Sequence, residues 1–129
     1  MRSKMVSIWG RAFDLKISYD HYDDDTIPSD MAEARDRLFE SWHAVDDSLT
    51  ALKDYCAERN GSEIEQLEGT RCVDNIFRIA VPDCLFVLPS GATRRVALML
   101  NYRFDPEEGL ALLFENESLK TICPQSEVF

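Results

Sequence analysis

The stretch densest in groups able to do chemistry is YDHYDDDTIPSD, residues 19–30, which carries five aspartates and one histidine. Such a run can hold a metal ion, attract a basic partner, or keep a connection solvated. A calcium loop of the EF-hand kind needs oxygen ligands at its first, third and fifth positions, glycine at the sixth and a bidentate glutamate at the twelfth. Counted from Asp20, Tyr22 falls at the third position, Asp25 at the sixth and Met31 at the twelfth, so the pattern fails. Three adjacent carboxylates, Asp23 to Asp25, also cannot converge on one ion from a regular backbone. The expectation is no bound metal and no cofactor.

Other chemistries find no framework. No GxSxG elbow exists, and neither His21 nor His43 stands in a motif with serine or cysteine. The five glycines are isolated and explicable as turns, with no phosphate-cradling run. Arg94-Arg95 is the one basic doublet, too little for a nucleic-acid platform. Four cysteines lack CxxC spacing and no HxxxH pair is present, so zinc is not expected. With no signal-peptide pattern, reduced thiols, buried or half-buried, and a cytoplasmic location are the expectation. Nothing here marks an enzyme, although a small enzyme uniting carboxylates with His21 or Tyr22 stays open as an alternative.

What the composition does specify is charge. The chain of 129 residues has a net charge of −10. Residues 20–54 hold eleven acids against three bases, so −8 of the −10 lies there. Asp20, Asp23, Asp24, Asp25, Asp36, Glu40, Asp46 and Asp47 are the candidate partner-binding residues of that segment. A surface of this sign repels nucleic-acid phosphates and anionic lipid. Solubility alone accounts for such a surface; the sharper reading is a docking face for a basic protein. No apolar run approaches the ~18 to 20 residues that cross a bilayer.

The elements that must position these acids follow from periodicity. RAFDLKISY alternates, with Phe13, Leu15, Ile17 and Tyr19 on one face. Together with MVSIW it predicts an N-terminal hairpin over 5–20, turning at Gly10-Arg11. Met31, Ala34, Leu38, Trp42, Val45, Leu49, Leu52 and Cys56 recur at helical steps, predicting a helix over 30–59. Asp30 and Glu33 suggest a capping box, Asn60-Gly61 a stop, and Val45 to Ser48 a bend. A coiled-coil dimer is the other use of such a stripe, but its mixed residues favour packing on a sheet. GSEIEQLEGTR, residues 61–71, is expected to be a loop.

From 74 to 124 the chain is strand-like: NIFRIAV and CLFVL on either side of Pro82-Asp83, then RRVALMLNYRF, LALLFE and LKTIC. In RRVALMLNYRF, Val96, Leu98, Leu100, Tyr102 and Phe104 share one face, with a mixed face of Ala97, Met99, Asn101 and Arg103 opposite. LALLFE, apolar on both faces, is expected to be an interior strand. DPEEG, residues 105–109, predicts a hairpin loop closing on glycine. The expected fold is one α+β domain, an antiparallel meander of about six strands against one long, bent helix. Area scaling gives a folded surface of roughly 7,000 Å², enough for a core without disulfides.

DNIFRIAVPDCLFVLPSG, RRVALMLNYRFDPEEGLALLFENESLKTICPQSEVF, IWGRAFDLKISYD and WHAVDDSLTALKDYC together resemble a family of small bacterial domains of uncharacterised function. The resemblance spans approximately residues 6–129 and rests on the phrase from Asn101 to the Pro124-Gln125 ending, which marks a hairpin and its turn and carries no catalysis. Some similar acidic domains are encoded beside polymorphic or contact-dependent toxins and act as immunity proteins. The resemblance therefore implies a non-enzymatic protein that binds a basic toxin domain, in some cases a nuclease. The rival expectation is a structural module that is a monomer or a weak homodimer.

Overall fold

The computed structural model of the protein describes residues 1–129. Its accessible surface is 6887 Å², in line with the scaling expectation. The period-two segments form strands β1 (Ser3–Ile8), β2 (Arg11–Tyr19), β3 (Ala80–Val87), β4 (Arg95–Tyr102), β5 (Leu110–Glu115) and β6 (Ser118–Cys123). Between β2 and β3 run three helices, α1 (Ser29–Glu40), α2 (His43–Asp47) and α3 (Leu49–Glu68). Short 3-10 turns occupy Ile76–Arg78 and Gln125–Val128. No helix is long and apolar enough to cross a membrane.

The six strands lie in sequence order. All neighbours are antiparallel except β2 and β3, which run parallel from Lys16↔Cys84 to Tyr19↔Val87. The exception has a simple cause: short turns force antiparallel pairing, whereas the helical crossover between β2 and β3 allows a parallel return. One face of the sheet carries Leu15, Ile17, Leu85, Leu98, Leu100, Leu112 and Phe114, packed with Met31, Ala34, Leu38, Val45, Leu52 and Cys56 from the helices. The faces expected for β2 and β4 and the helical stripe therefore meet in one core. LALLFE is the interior strand it was expected to be, flanked by β4 and β6.

Several local expectations are corrected. The first hairpin turns at Trp9-Gly10, not Gly10-Arg11, because Ile8 pairs with Arg11 and both turn residues have positive φ (50° and 85°). That is the geometry of a primed turn, whose twist suits a hairpin. Positive φ is costly for a tryptophan, and helix α2 holds it in place: the Trp9 amide donates to Asp46 Oδ1 (3.0 Å) and its indole N–H donates to the Val45 carbonyl (3.0 Å). A second primed turn, Asn116-Glu117, joins β5 to β6.

The helix expected over 30–59 is interrupted at Ser41-Trp42, where Ser41 leaves helical geometry, and is divided again at Ser48, within the bend foreseen at Val45 to Ser48. Ser48 does not cap α3; its hydroxyl donates back to the Val45 carbonyl. No capping box forms either: Asp30 accepts the amide of Met31, and Glu33 pairs with Arg37 four residues on. Asn60-Gly61 is a kink rather than a stop, with Asn60 at φ −129° and ψ 34° inside α3. The helix continues through buried Ile64 and ends at Gly69, whose left-handed backbone (φ 81°) donates to the Glu65 carbonyl. Most of the loop expected at 61–71 is therefore helix.

Pro82-Asp83 does not separate two strands. It makes a bulge within β3, between Pro82 and Cys84, just before the parallel pairing with β2 begins. NIFR, taken as strand, is instead a 3-10 turn capped by Asn75 Oδ1, which accepts from the Phe77 amide.

The second face of the sheet, expected to be mixed, is a smaller core of Leu88, Ala97, Met99, Ala111, Leu113 and Val128. The residues after β6 cover it. Gln125 Nε2 donates to the carbonyls of Leu100 (3.0 Å) and Leu110 (3.4 Å), and the Ser126 amide donates to Glu108 Oε1. Those bonds from Ser126 hold the Glu108 carboxyl below the usual carboxylate range. Gly109 (φ 65°) leaves the room: a Cβ there would lie 2.5 Å from Gln125 Nε2 and 2.6 Å from the Leu100 carbonyl. The DPEEG and Pro124-Gln125 phrases thus belong to one brace.

Helix α2 also constrains the sheet. It meets β1 and its turn through Trp9 and Trp42, and it lines a groove with Glu117, Ser118 and Leu119 at the β6 end. Laid flat, β1 and β6 would be about 24 Å apart at ~4.8 Å per strand, whereas α2 is only about 7.5 Å long. The sheet must curl to bring both margins to one short helix.

Candidate partner-binding face

The acids of the opening stretch sit where β2 ends. The Asp20 amide donates to the Val87 carbonyl (3.0 Å), which continues the β2–β3 junction by one bond. The chain then reverses through His21, at positive φ (63°). Asp23 closes a small turn in which its carbonyl accepts from the Thr26 amide (3.0 Å) and hydroxyl (3.3 Å). The loop is therefore a built connection: Ile27 packs against the core, while His21, Tyr22, Asp23 and Asp25 are exposed.

A hydrogen-bonded strap ties this loop to α1. The amino group of Met1 pairs with Asp24, and the Met1 carbonyl accepts from the Tyr19 hydroxyl (2.9 Å). That hydroxyl accepts from Arg35 Nη1 (2.8 Å), and Arg35 Nε donates to Asp36 (2.8 Å). The ammonium beside Asp24 holds its carboxyl below the usual range. Burial raises the Tyr19 phenol against the opposing pull of Arg35. An open groove of about 700 Å³ adjoins the strap, and its lining includes Asp23, Asp24 and Asp25 together with Arg2 and Lys16.

The eight candidate acids divide into two groups. Asp20, Asp23, Asp24 and Asp25 line or adjoin this groove, and Asp36 and Glu40 flank a neighbouring hollow that also holds Met1 and Lys4. The N-terminal residues link the two hollows into one end of the molecule. Asp46 and Asp47 lie elsewhere. Asp46 is engaged by the Trp9 amide, and Asp47 lines a groove with His43 and Glu117 at the β6 side.

Elsewhere in the chain Glu65, Glu68, Asp105, Glu115 and Glu117 are each matched by an arginine, whereas Asp14, Glu58, Glu63, Asp74, Asp83, Glu107, Glu108 and Glu127 form no ion pair. Within residues 20–54 the pairs are His21–Asp20, Arg35–Asp36 and Arg37–Glu33. Asp23, Asp25, Glu40 and Asp47 form no ion pair. All four are exposed. No three side chains of the His, Cys, Asp and Glu types converge as a metal site requires. The four cysteines are free thiols; Cys56 is buried, Cys84 and Cys123 are half-buried, and Cys72 is exposed, contrary to the expectation of cover for all four.

Sequence reasoning missed three members of this surface. Tyr22 is exposed inside the acidic loop, and its place among the aspartates was visible in the quoted stretch. Arg2 and Lys16 form the cationic wall, but only the pairing of β1 with β2 places them beside the loop, and no local pattern signals that. No family model matches this chain, and neither do any curated protein or solved structure. The fold and this surface stand on the α+β architecture alone.

Proposed function

We propose that this chain is a non-enzymatic acidic binding protein that neutralises a cognate basic bacterial toxin, in some settings a nuclease, by direct contact. The observation that carries the reading is the concentration of charge: −8 of the net −10 lies in residues 20–54, and the exposed acids Asp23, Asp25 and Glu40 of that segment stand at one end without an ion-pair partner. An inhibitor of this kind needs no chemistry of its own. It must present negative charge where a toxin carries a basic cleft, and such complementarity mainly accelerates encounter and sharpens partner choice. The fold suits the task because the strap from Met1 through Tyr19 and Arg35 holds loop and helix in fixed relation. The same strap makes Asp24 and Asp36 framework residues, so the outward work falls to their neighbours.

The first test is whether a toxin is encoded beside this gene; an inactivated form of its toxin domain is then the probe. With Asp23→Asn, Asp25→Asn and Glu40→Gln combined, association at low ionic strength should slow roughly 3- to 10-fold and lose much of its salt dependence. Asp47→Asn, in a different groove, should change neither. Equal association rates for the triple variant and the unaltered protein would remove this end from the interface. A toxin domain that does not bind the unaltered protein at all would remove the reading.

A further inference from the structure

We propose that the free margin of β1 pairs with β1 of a second copy, antiparallel and centred on Met5, to form a weak two-fold dimer. The two margins of the sheet differ. On β6 the pairing shifts between Leu113 and Phe114, so that Lys120 is the extra residue of a bulge, and Pro124 follows the strand. Bulges, lysine and proline are the devices that stop a margin from accepting another strand. On β1 the register runs unbroken from Ser3↔Lys16 to Ile8↔Arg11. Because the Ile17 amide donates to the Arg2 carbonyl (2.8 Å), Arg2, Lys4, Val6 and Ile8 face β2 with their backbone groups. Ser3, Met5 and Ser7 therefore direct theirs outward. All three are exposed, and the Met5 side chain is 65% exposed.

The occupant follows from the residues along that margin. With Met5 opposite its own copy, Ser3 faces Ser7 and Lys4 faces Val6, so no like charges are opposed. Centring the pair on Lys4 would place two lysines directly across, and centring it on Ser3 would set Lys4 against Arg2; both are disfavoured. The Met5 register also brings two exposed thioether chains together. Its one shared group is the Ser7 carbonyl, which already accepts from the Trp42 indole N–H (2.9 Å) and has a second lone pair to offer. A single added strand buries well below the ~1,200 Å² of a stable interface, which places it among weak, transient contacts, so the range to search is dissociation constants of about 10 µM to 1 mM. This inference is independent of any toxin.

Sedimentation velocity across that concentration range tests it. The unaltered protein should show a sedimentation coefficient that rises with concentration. Met5→Lys, which opposes like charges at the two-fold, should weaken association at least about tenfold. Met5→Pro should do the same while the fold stays intact, since the amide it removes faces away from β2; unchanged circular dichroism and melting temperature verify this. In a Cys72→Ser background, Met5→Cys should cross-link to its copy under oxidised glutathione, because opposed Cα atoms ~5.5 Å apart suit a disulfide, and Ser3→Cys should not. A monomer at every concentration, an undiminished Met5→Lys dimer, or equal cross-linking by both cysteine variants would each overturn the proposal.

Discussion

Replacing Tyr102 with phenylalanine probes how the long helix is fitted to the sheet. The Tyr102 hydroxyl donates to Asn60 Oδ1 at 2.7 Å, at the point where α3 leaves helical geometry. Tyr102 is 1% exposed, and its ring meets Phe104 edge-on at 5.5 Å. The substitution keeps the ring and its packing and removes one hydrogen bond, worth about 1 kcal/mol net, while depriving the Asn60 oxygen of its donor. Because Asn60 is only half-buried, water replaces part of that loss. The expected destabilisation is about 1 to 2 kcal/mol. A chain of 129 residues unfolds with an entropy of about 0.27 kcal/mol/K, so the midpoint should fall by roughly 4 to 7 °C. Urea titration followed by tryptophan fluorescence reads it, since Trp9 and Trp42 both lie against α2, and the denaturant slope should not change. Asn60→Ala should cost a similar amount, and the double variant should fall short of the sum by about 1 kcal/mol. Additive effects, or a Tyr102→Phe protein within about 0.3 kcal/mol of the original, would refute the idea that this bond pins the kink.

The two glycines with crowded surroundings should respond oppositely to alanine. At Gly61, inside α3, the new methyl meets only the movable end of Arg71, so helix propensity dominates and stability should rise by about 0.5 kcal/mol in a thermal melt. At Gly109 the backbone is left-handed and the methyl meets the Leu100 carbonyl, so the same change should cost at least about 2 kcal/mol. The buried thiols set an alkaline limit. Burial pushes Cys56 and Cys84 up to about 11, whereas thiols in the unfolded chain ionise near ~8.5. Their contribution is therefore complete below ~8.5 and is lost as pH rises through about 11, with Cys56 alone accounting for about 3 kcal/mol. Denaturant midpoints measured from pH 8 to 11 should fall less steeply in Cys56→Ala, once corrected for its own destabilisation.

The architecture was legible where periodicity and burial agree. Phe13 to Tyr19, Val96 to Tyr102 and the stripe from Met31 to Cys56 all face one core, because one-sided burial leaves its mark on every second or every third and fourth residue. Punctuation misled where tertiary bonds overrule it. Asn60-Gly61 would stop an isolated helix, yet Tyr102, from a distant strand, turns it into a kink. Ile64 and Leu67 prolong the stripe beyond it and were the signal available. Pro82 was tolerable in a strand because β2 pairs only from Cys84 onward, a fact of topology invisible locally. Among the acids, the loop cluster was apparent from composition. That Asp46 braces a hairpin turn while Asp23 and Asp25 remain unpaired depends on contacts between remote segments, which no single-chain pattern records.

The parallel junction of β2 with β3 divides the sheet into halves of unequal character. On one side is a single hairpin; on the other is a four-strand ribbon whose neighbours in space are neighbours along the chain. Each half can zip up rapidly from local turns, but closing the junction means bringing Lys16 to Cys84 across three helices. On topological grounds that closure is the expected slow step of folding, to be checked by the refolding rate of a variant with a weakened junction. It also makes the exposed Gly69 to Cys72 segment a natural site for dividing the polypeptide, since two separately made pieces would rejoin along four matched residues and the helical layer above them.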